Sequence, residues 1–303
     1  MTNMSSKREL LDDQLVQASL QYRNRFKVIK QIIPQSQVYL CRDLNKGQQE
    51  VVLKLEPIRR KNSRLQKEIS FYEKLKESEY FPIFKYWFFG LFHRILVLAK
   101  KGINLRIHWK NVVNAGQWDE TLFNIYAKQM IKSLEKLHSF GIIHLDPKPN
   151  NFVLDSNDSN KIFLIDFDLA KEYKTEDSKH IPRRTDLKPF EINGNRQFLS
   201  IYGHQGYQQS RRDDLIFLGY SLIWMSRGGN LPWSLIKPEQ FASNTEYHKQ
   251  LKAEKCKLFK EMEEMSTKEG RVYQSLVEYM VECYRLGFDE DPDYKYLISL
   301  FEN

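Results

Sequence analysis

Cysteine is scarce in this chain. Cys41, Cys256 and Cys283 are the only three in 303 residues. They lie far apart and share no metal-ligand spacing. This argues against a thiolate zinc site or a disulfide framework, and for free thiols in a reducing, intracellular setting, cytoplasmic or nuclear. Long apolar runs are also missing. None approaches the roughly 20 residues needed to span a bilayer, and the start, MTNMSSKRELLDDQ, has no apolar core of the secretory kind, so no membrane association is expected. Internal repeats and low-complexity segments are absent. So is glycine before Gly47, which leaves the first apolar strands without a flexible hairpin tip. The net charge is +8, yet no polybasic run with interleaved aromatics occurs. That argues against a nucleic-acid partner, while a basic surface suits acidic protein partners.

What remains is an ordinary globular composition, 41% hydrophobic and 28% charged, in a chain long enough for one large or two-lobed domain. The chemistry concentrates in HLDPKPNNFVLDSNDSNKIFLIDFD, His144 to Asp168. Asp146, Lys148 and Asn151 fall in a proline-punctuated loop. Phe152 to Leu154 and Ile162 to Ile165 read as two short strands about a polar turn. Such a hairpin returns Asp166 to the side of Asn151. A carboxamide and a carboxylate at one point suit a hard cation such as magnesium. Asp146 is then left to accept a proton and Lys148 to offset negative charge, which is an inventory for phosphoryl transfer. Plain turn chemistry by Asp and Asn is the competing reading of the loop taken alone.

Upstream, residues 1–20 suggest a short amphipathic helix or a frayed terminus. FKVIKQII, VYLC and EVVLKL read as strands. Lys54 sits inside the third, where an ammonium needs an acid partner. Leu65, Ile69, Tyr72 and Leu75 recur at helical spacing and carry Glu68, the expected partner. An exposed edge-strand lysine is the alternative. Leu91 to Leu98 forms another strand, and the chain turns helix-rich after Lys101, so the boundaries expected are 1–20, 21–101 and 102–303. Thr121 to His138 reads as an amphipathic helix with Leu122, Ile125, Met130, Leu134 and Leu137 inward. Residues 170–195 read as an exposed loop, 213–225 as a buried helix, 247–268 as a solvated helix, and 273–286 and 293–302 as closing segments.

The order Asp-x-Lys-x-x-Asn, strand, turn, strand, Asp-Phe resembles the catalytic loop and metal motif of protein kinases. Ser210-Arg211-Arg212-Asp213-Asp214-Leu215 with Leu218-Gly219-Tyr220, then Leu231-Pro232-Trp233, then Phe288-Asp289-Glu290-Asp291-Pro292-Asp293-Tyr294 with Tyr296-Leu297 are similar to signatures of the casein kinase 1 family. The resemblance covers about residues 22 to 302. It implies an α+β, two-lobed protein kinase fold, with a small antiparallel-sheet N-lobe carrying one helix and a larger, mainly helical C-lobe. It further implies a serine/threonine kinase using ATP and Mg²⁺ on acidic or pre-phosphorylated proteins. Asp146 would be the catalytic base and Lys148 its cationic companion. Lys54 with Glu68 would serve the nucleotide phosphates, and the backbone of Ala99 and Lys101 the adenine. Asn151 and Asp166 would hold the metal, and Asp214 would brace the loop, with a helix N-terminal acid as a compatible second role. Arg196 and Lys237 would form a substrate anion pocket, or else be plain surface cations.

The chain departs from that pattern in places. The phosphate-covering segment Ile32 to Val38 has no glycine, and Pro34 has no amide hydrogen to donate. Leu145 replaces the arginine before the catalytic aspartate, and Asp168 replaces the metal-motif glycine. A pseudokinase scaffold with little or no turnover is therefore the alternative function.

Overall fold

Alternation of apolar and polar residues builds the first unit. The structure, a computed structural model of the chain, describes residues 25–33, 36–184, 193–266 and 271–302. The extension 1–20, the loop residues Pro34 and Gln35, and part of the expected 170–195 loop lie outside those residues. Five strands, β1 (Phe26–Gln31), β2 (Val38–Asp43), β3 (Gln49–Pro57), β4 (Phe84–Phe89) and β5 (His93–Ala99), form one antiparallel sheet in the order β1-β2-β3-β5-β4. In β3, Val51, Leu53 and Leu55 point to one face and join Phe26, Tyr39, Cys41, Ile95 and Val97 in a core. The period of two puts Lys54 on the opposite face.

Helix α1 (Arg64–Leu75) follows β3. Leu65, Ile69, Tyr72 and Leu75 are buried as their spacing requires, together with Glu68 and Phe71. Its N-terminus is doubly capped. Ser63 accepts from the Gln66 amide at 2.9 Å, and Glu56 of β3 accepts from the Arg64 amide at 3.1 Å. Strand β4 is not anticipated above. Its sequence, FKYWFF, is an aromatic run with no apolar–polar alternation, so period-two reading passes over it although aromatics favour strands.

The chain divides into two compact units, Met1–Lys101 and Gly102–Asn303. The second is mainly helical. Its elements are α2 (Leu105–Asn114), α3 (Glu120–Ser139), β6 (Ile142–Ile143), β7 (Phe152–Leu154), β8 (Ile162–Leu164), β9 (Lys171–Glu172), α4 (Ile201–His204), α5 (Arg211–Ser226), α6 (Asn244–Ser266), α7 (Arg271–Arg285) and α8 (Tyr294–Ser299). Asn104, Asp119 and Asp293 cap α2, α3 and α8 through side-chain bonds to backbone amides of 2.9, 2.8 and 3.0 Å. Helix α5 is buried from Arg211 to Met225 and runs against α7, where Gly219 leaves room. A Cβ there would sit 2.1 Å from Met280 Sδ. No helix among the described residues is long and apolar enough to cross a membrane.

Three expectations are corrected. The inward face of α3 is turned from the one expected: Phe123, Tyr126, Ala127, Met130, Leu134 and Leu137 are buried, whereas Leu122 and Ile125 are half-buried. The segment after Ala170 is not simply exposed. β9 pairs with β6, and Tyr173 is buried.

The third correction concerns α6, which is not merely solvated. Tyr247, His248, Leu251, Lys255, Leu258 and Met262 are buried at helical spacing. Lys255 is wholly enclosed. Its ammonium faces the carbonyls of Arg196 and Leu199 and, at 2.9 Å, His204 Nε2. It also lies over the rings of Tyr220 and Trp233. Burial pushes its pKa well down. Three acceptors and two ring faces oppose that shift, and they match the three N–H bonds of a charged amine.

Candidate active site

In the first unit, Lys54 Nζ lies 2.7 Å from Glu68 Oε2. Strand β3 is central, between β2 and β5, so Lys54 is not an edge residue. The lysine side chain is 24% exposed and that of Glu68 1%, so the acid is a fixed anchor and the amine keeps an open side. Ala99 ends β5, and its amide donates to Ile83 O at 3.0 Å. Its N–H is therefore engaged. Lys101 closes the unit, while Lys100 pairs with Glu50 at 2.7 Å.

In the second unit, the hairpin β7–β8 pairs Phe152 with Leu164. The register continues one step, with Ile165 N donating to Asn151 O at 2.9 Å. Asp166 follows directly, in left-handed backbone at φ 70. A short 3₁₀ turn, Pro149–Asn151, aims the Asn151 amide nitrogen at Asp146, donating to its backbone O at 2.9 Å and its Oδ2 at 3.2 Å. The carboxamide oxygen takes no part in those two bonds.

Asp146 is buried and held from several sides. Lys148 Nζ forms a close ion pair with Oδ2, and the Asn195 amide donates to Oδ1 at 3.2 Å. The Asp146 amide donates to His144 Nδ1 at 3.2 Å, and His144 Nε2 lies 3.0 Å from Ile165 O. His144 therefore carries its proton on Nε2 and ties the Asp146 loop to the Asp166 strand. Beneath the loop, fully buried Asp214 accepts from the amides of His144 at 2.6 Å and Leu145 at 2.7 Å, and from His138 Nε2 at 2.9 Å. Burial lowers the pKa of His138.

Leu145, at φ 70, is packed with Ile143, Tyr173 and Leu169. An apolar side chain here docks the segment after Asp168 by packing, where an arginine would do so by charge.

Sequence reasoning passes over two contributors. Gly194, at φ 101, approaches so closely that a Cβ would lie 2.3 Å from Leu145 O. That approach brings the Asn195 amide to Asp146. The contact joins residues 49 apart in sequence, so no local spacing points to it. Arg196 is half-buried, its carbonyl bonded to Lys255, while Lys237 is exposed at the start of a 3₁₀ turn. No described contact joins these two.

Asn151 and Asp166 supply one amide oxygen and one carboxylate. Among the described residues no cluster of three or more His, Cys, Asp or Glu could hold an ion unaided. Two oxygen donors fit a magnesium ion that keeps waters and shares the phosphates of a nucleotide, and would not suffice for an ion caged by protein alone. The family model for the protein kinase domain matches residues 34–283. A five-stranded antiparallel sheet with one helix, followed by a mainly helical part, is the make-up of such a domain.

Proposed function

The chain belongs to the protein kinase domain family, and on that premise we propose that it transfers the γ-phosphate of ATP to Ser or Thr hydroxyls of acidic or already phosphorylated proteins, in the manner of casein kinase 1. The observation that carries the reading is the convergence of Lys148, Asn151 and the Asn195 amide on the Asp146 carboxylate. Fixed in this way, Asp146 orients the acceptor hydroxyl and takes its proton. Lys148 offsets the charge of the moving phosphoryl group. Asn151 and Asp166 hold magnesium, and Lys54, steadied by Glu68, serves the phosphates. Magnesium-ATP supplies the phosphoryl group and neutralises its charge. Ala99 and Lys101 meet the adenine through their backbone, Ala99 by its carbonyl because its N–H is engaged.

The finer assignment has its support in two of the runs that resemble casein kinase 1, because they bind one another. Arg211 donates to the carbonyls of Asp289 at 2.7 Å and Glu290 at 3.1 Å, and pairs with Asp291. Arg212 lies 3.7 Å over the Tyr202 ring.

Two measurements test the proposal. Magnesium-ATP should raise the melting temperature, and Asp166→Ala should remove most of that shift. Phosphate should pass to an acidic or primed Ser peptide, with Asp146→Asn as the inactive control. No thermal shift at millimolar ATP together with no transfer would leave a pseudokinase scaffold, the outcome that the glycine-free Ile32–Val38 segment would explain.

A further inference from the structure

Beside Lys148, within the second unit, lies a cavity of about 190 Å³. Its polar lining is Arg106, Lys148, Asn150, Asn195 and Gln197, with Trp224 as an apolar wall and no carboxylate among the lining residues. Neither Asn151 nor Asp166 lines it, so it is distinct from the pair assigned to magnesium. Arg196 and Lys237 do not line it either.

Arg106, the second residue of α2, is exposed and makes no ion pair among the described residues. Its guanidinium carbon lies 5.4 Å from the centre of the Trp224 ring. Trp224 is itself nearly buried, 4.7 Å from Trp109 between ring centres. A guanidinium placed over a fixed aromatic face keeps its edge donors free for an oxyanion. Three carboxamides add neutral donors, and Lys148 adds a second cation. The cavity shares Lys148 and Asn195 with the residues that grip Asp146. An occupant would therefore lie beside the residues that grip the Asp146 carboxylate.

We propose that this cavity takes the oxyanion-bearing side chain, carboxylate or phosphate, of a residue flanking the acceptor Ser or Thr, and that Arg106 is the specificity-determining residue that reads it. The proposal rests on the kinase reading above and gives its acidic preference a position separate from Arg196 and Lys237.

The test uses the full chain and fluorescein-labelled Ser peptides that differ at one flanking position, Glu, phosphoserine or Gln. Both equilibrium binding and phosphate transfer are measured. Wild type should favour Glu or phosphoserine over Gln. Arg106→Ala should reduce that preference roughly five- to tenfold, as expected for a charge-assisted but partly solvated contact. Arg106→Glu should abolish it. Both variants should melt as wild type does, because the side chain is exposed. Stronger binding of the phosphoserine peptide identifies phosphate as the group read, and stronger binding of the Glu peptide identifies carboxylate. A preference that survives Arg106→Glu, or a wild type with none, overturns the site. Arg106-dependent binding without transfer would keep the site and sink the kinase reading, and transfer without Arg106 dependence would do the reverse.

Discussion

Removing the Asp214 carboxylate should show how much of the catalytic loop's geometry is held from below. Asp214→Ala leaves the amides of His144 and Leu145 buried without an acceptor and frees one nitrogen of His138. An orphaned buried donor costs about 1–3 kcal/mol, so two backbone amides alone cost about 2–6 kcal/mol. Leu145 adds to the loss, because its φ of 70 costs a non-glycine residue about 1 kcal/mol and is held by one of those bonds. A central value of about 4 kcal/mol is a large share of a domain's usual stability of about 5–15 kcal/mol. At about 2–4 °C per kcal/mol for a unit of this size, the melting point should fall by about 8–16 °C. Asp214→Asn keeps the volume and one acceptor, and should fall between Ala and wild type. Differential scanning calorimetry reads both. Phosphate transfer assayed well below the variant's melting point should drop about 10²-fold, since a displacement of the loop near 1 Å is enough for that. A melting point within about 2 °C of wild type would refute the reasoning.

Lys54→Met should lower phosphate transfer by about 10²–10³-fold, the usual effect of deleting one charge-stabilising donor. Its thermal melt without nucleotide should also fall, because the buried Glu68 carboxylate would lose the cation now 2.7 Å away. Gly194→Ala should displace the loop that delivers Asn195 to Asp146, because the new Cβ would sit 2.3 Å from a carbonyl at φ 101. Steady-state kinetics should show the loss mainly in kcat. Acid should destabilise the second unit before its carboxylates titrate. His138 and His204 are held below the usual histidine value of 6.5, and His248 is lowered to about 4, chiefly by burial. The unfolded chain binds these protons below pH 6.5 and the folded chain does not, so stability falls as pH drops from about 6.5 towards 4. Urea titrations at pH 7 and pH 5 measure it, and equal midpoints would contradict the burial.

The legible parts of the molecule are those governed by short spacing. Two apolar triplets around a polar turn dictate the β7–β8 hairpin, and with it the adjacency of Asn151 and Asp166. One lysine in an apolar strand, followed by an amphipathic helix that carries Glu68 on its apolar face and Glu73 on its exposed one, pairs Lys54 with Glu68. Local patterns also show a strand-rich stretch giving way to a helix-rich one after Lys101, whereas the α+β, two-lobed architecture comes from the resemblance to protein kinases. Strand β4 is not legible by alternation, because both of its faces are aromatic. The α6 face is hidden by its charge: Lys255 counts as polar in any periodicity, and only the carbonyls of a loop more than fifty residues away make it an interior residue. The Asn195 amide on Asp146 and the Arg106 cavity belong to the same class. They depend on loops from distant parts of the chain meeting, which no window of neighbouring residues records.

The enclosure of Lys255 has a practical corollary. Its neighbour in sequence, Cys256, is exposed, whereas Lys255 has no accessible surface. Two adjacent nucleophiles of different chemistry thus sit about 100° apart around one helix, one open to reagent and one sealed. Maleimide should mark the thiol in the intact molecule, and an acylating reagent should reach the amine only when that helix lifts away. Trypsin does not cut after an acylated lysine, so the share of thiol-labelled peptide left uncut between Lys255 and Cys256 would report opening of the second unit.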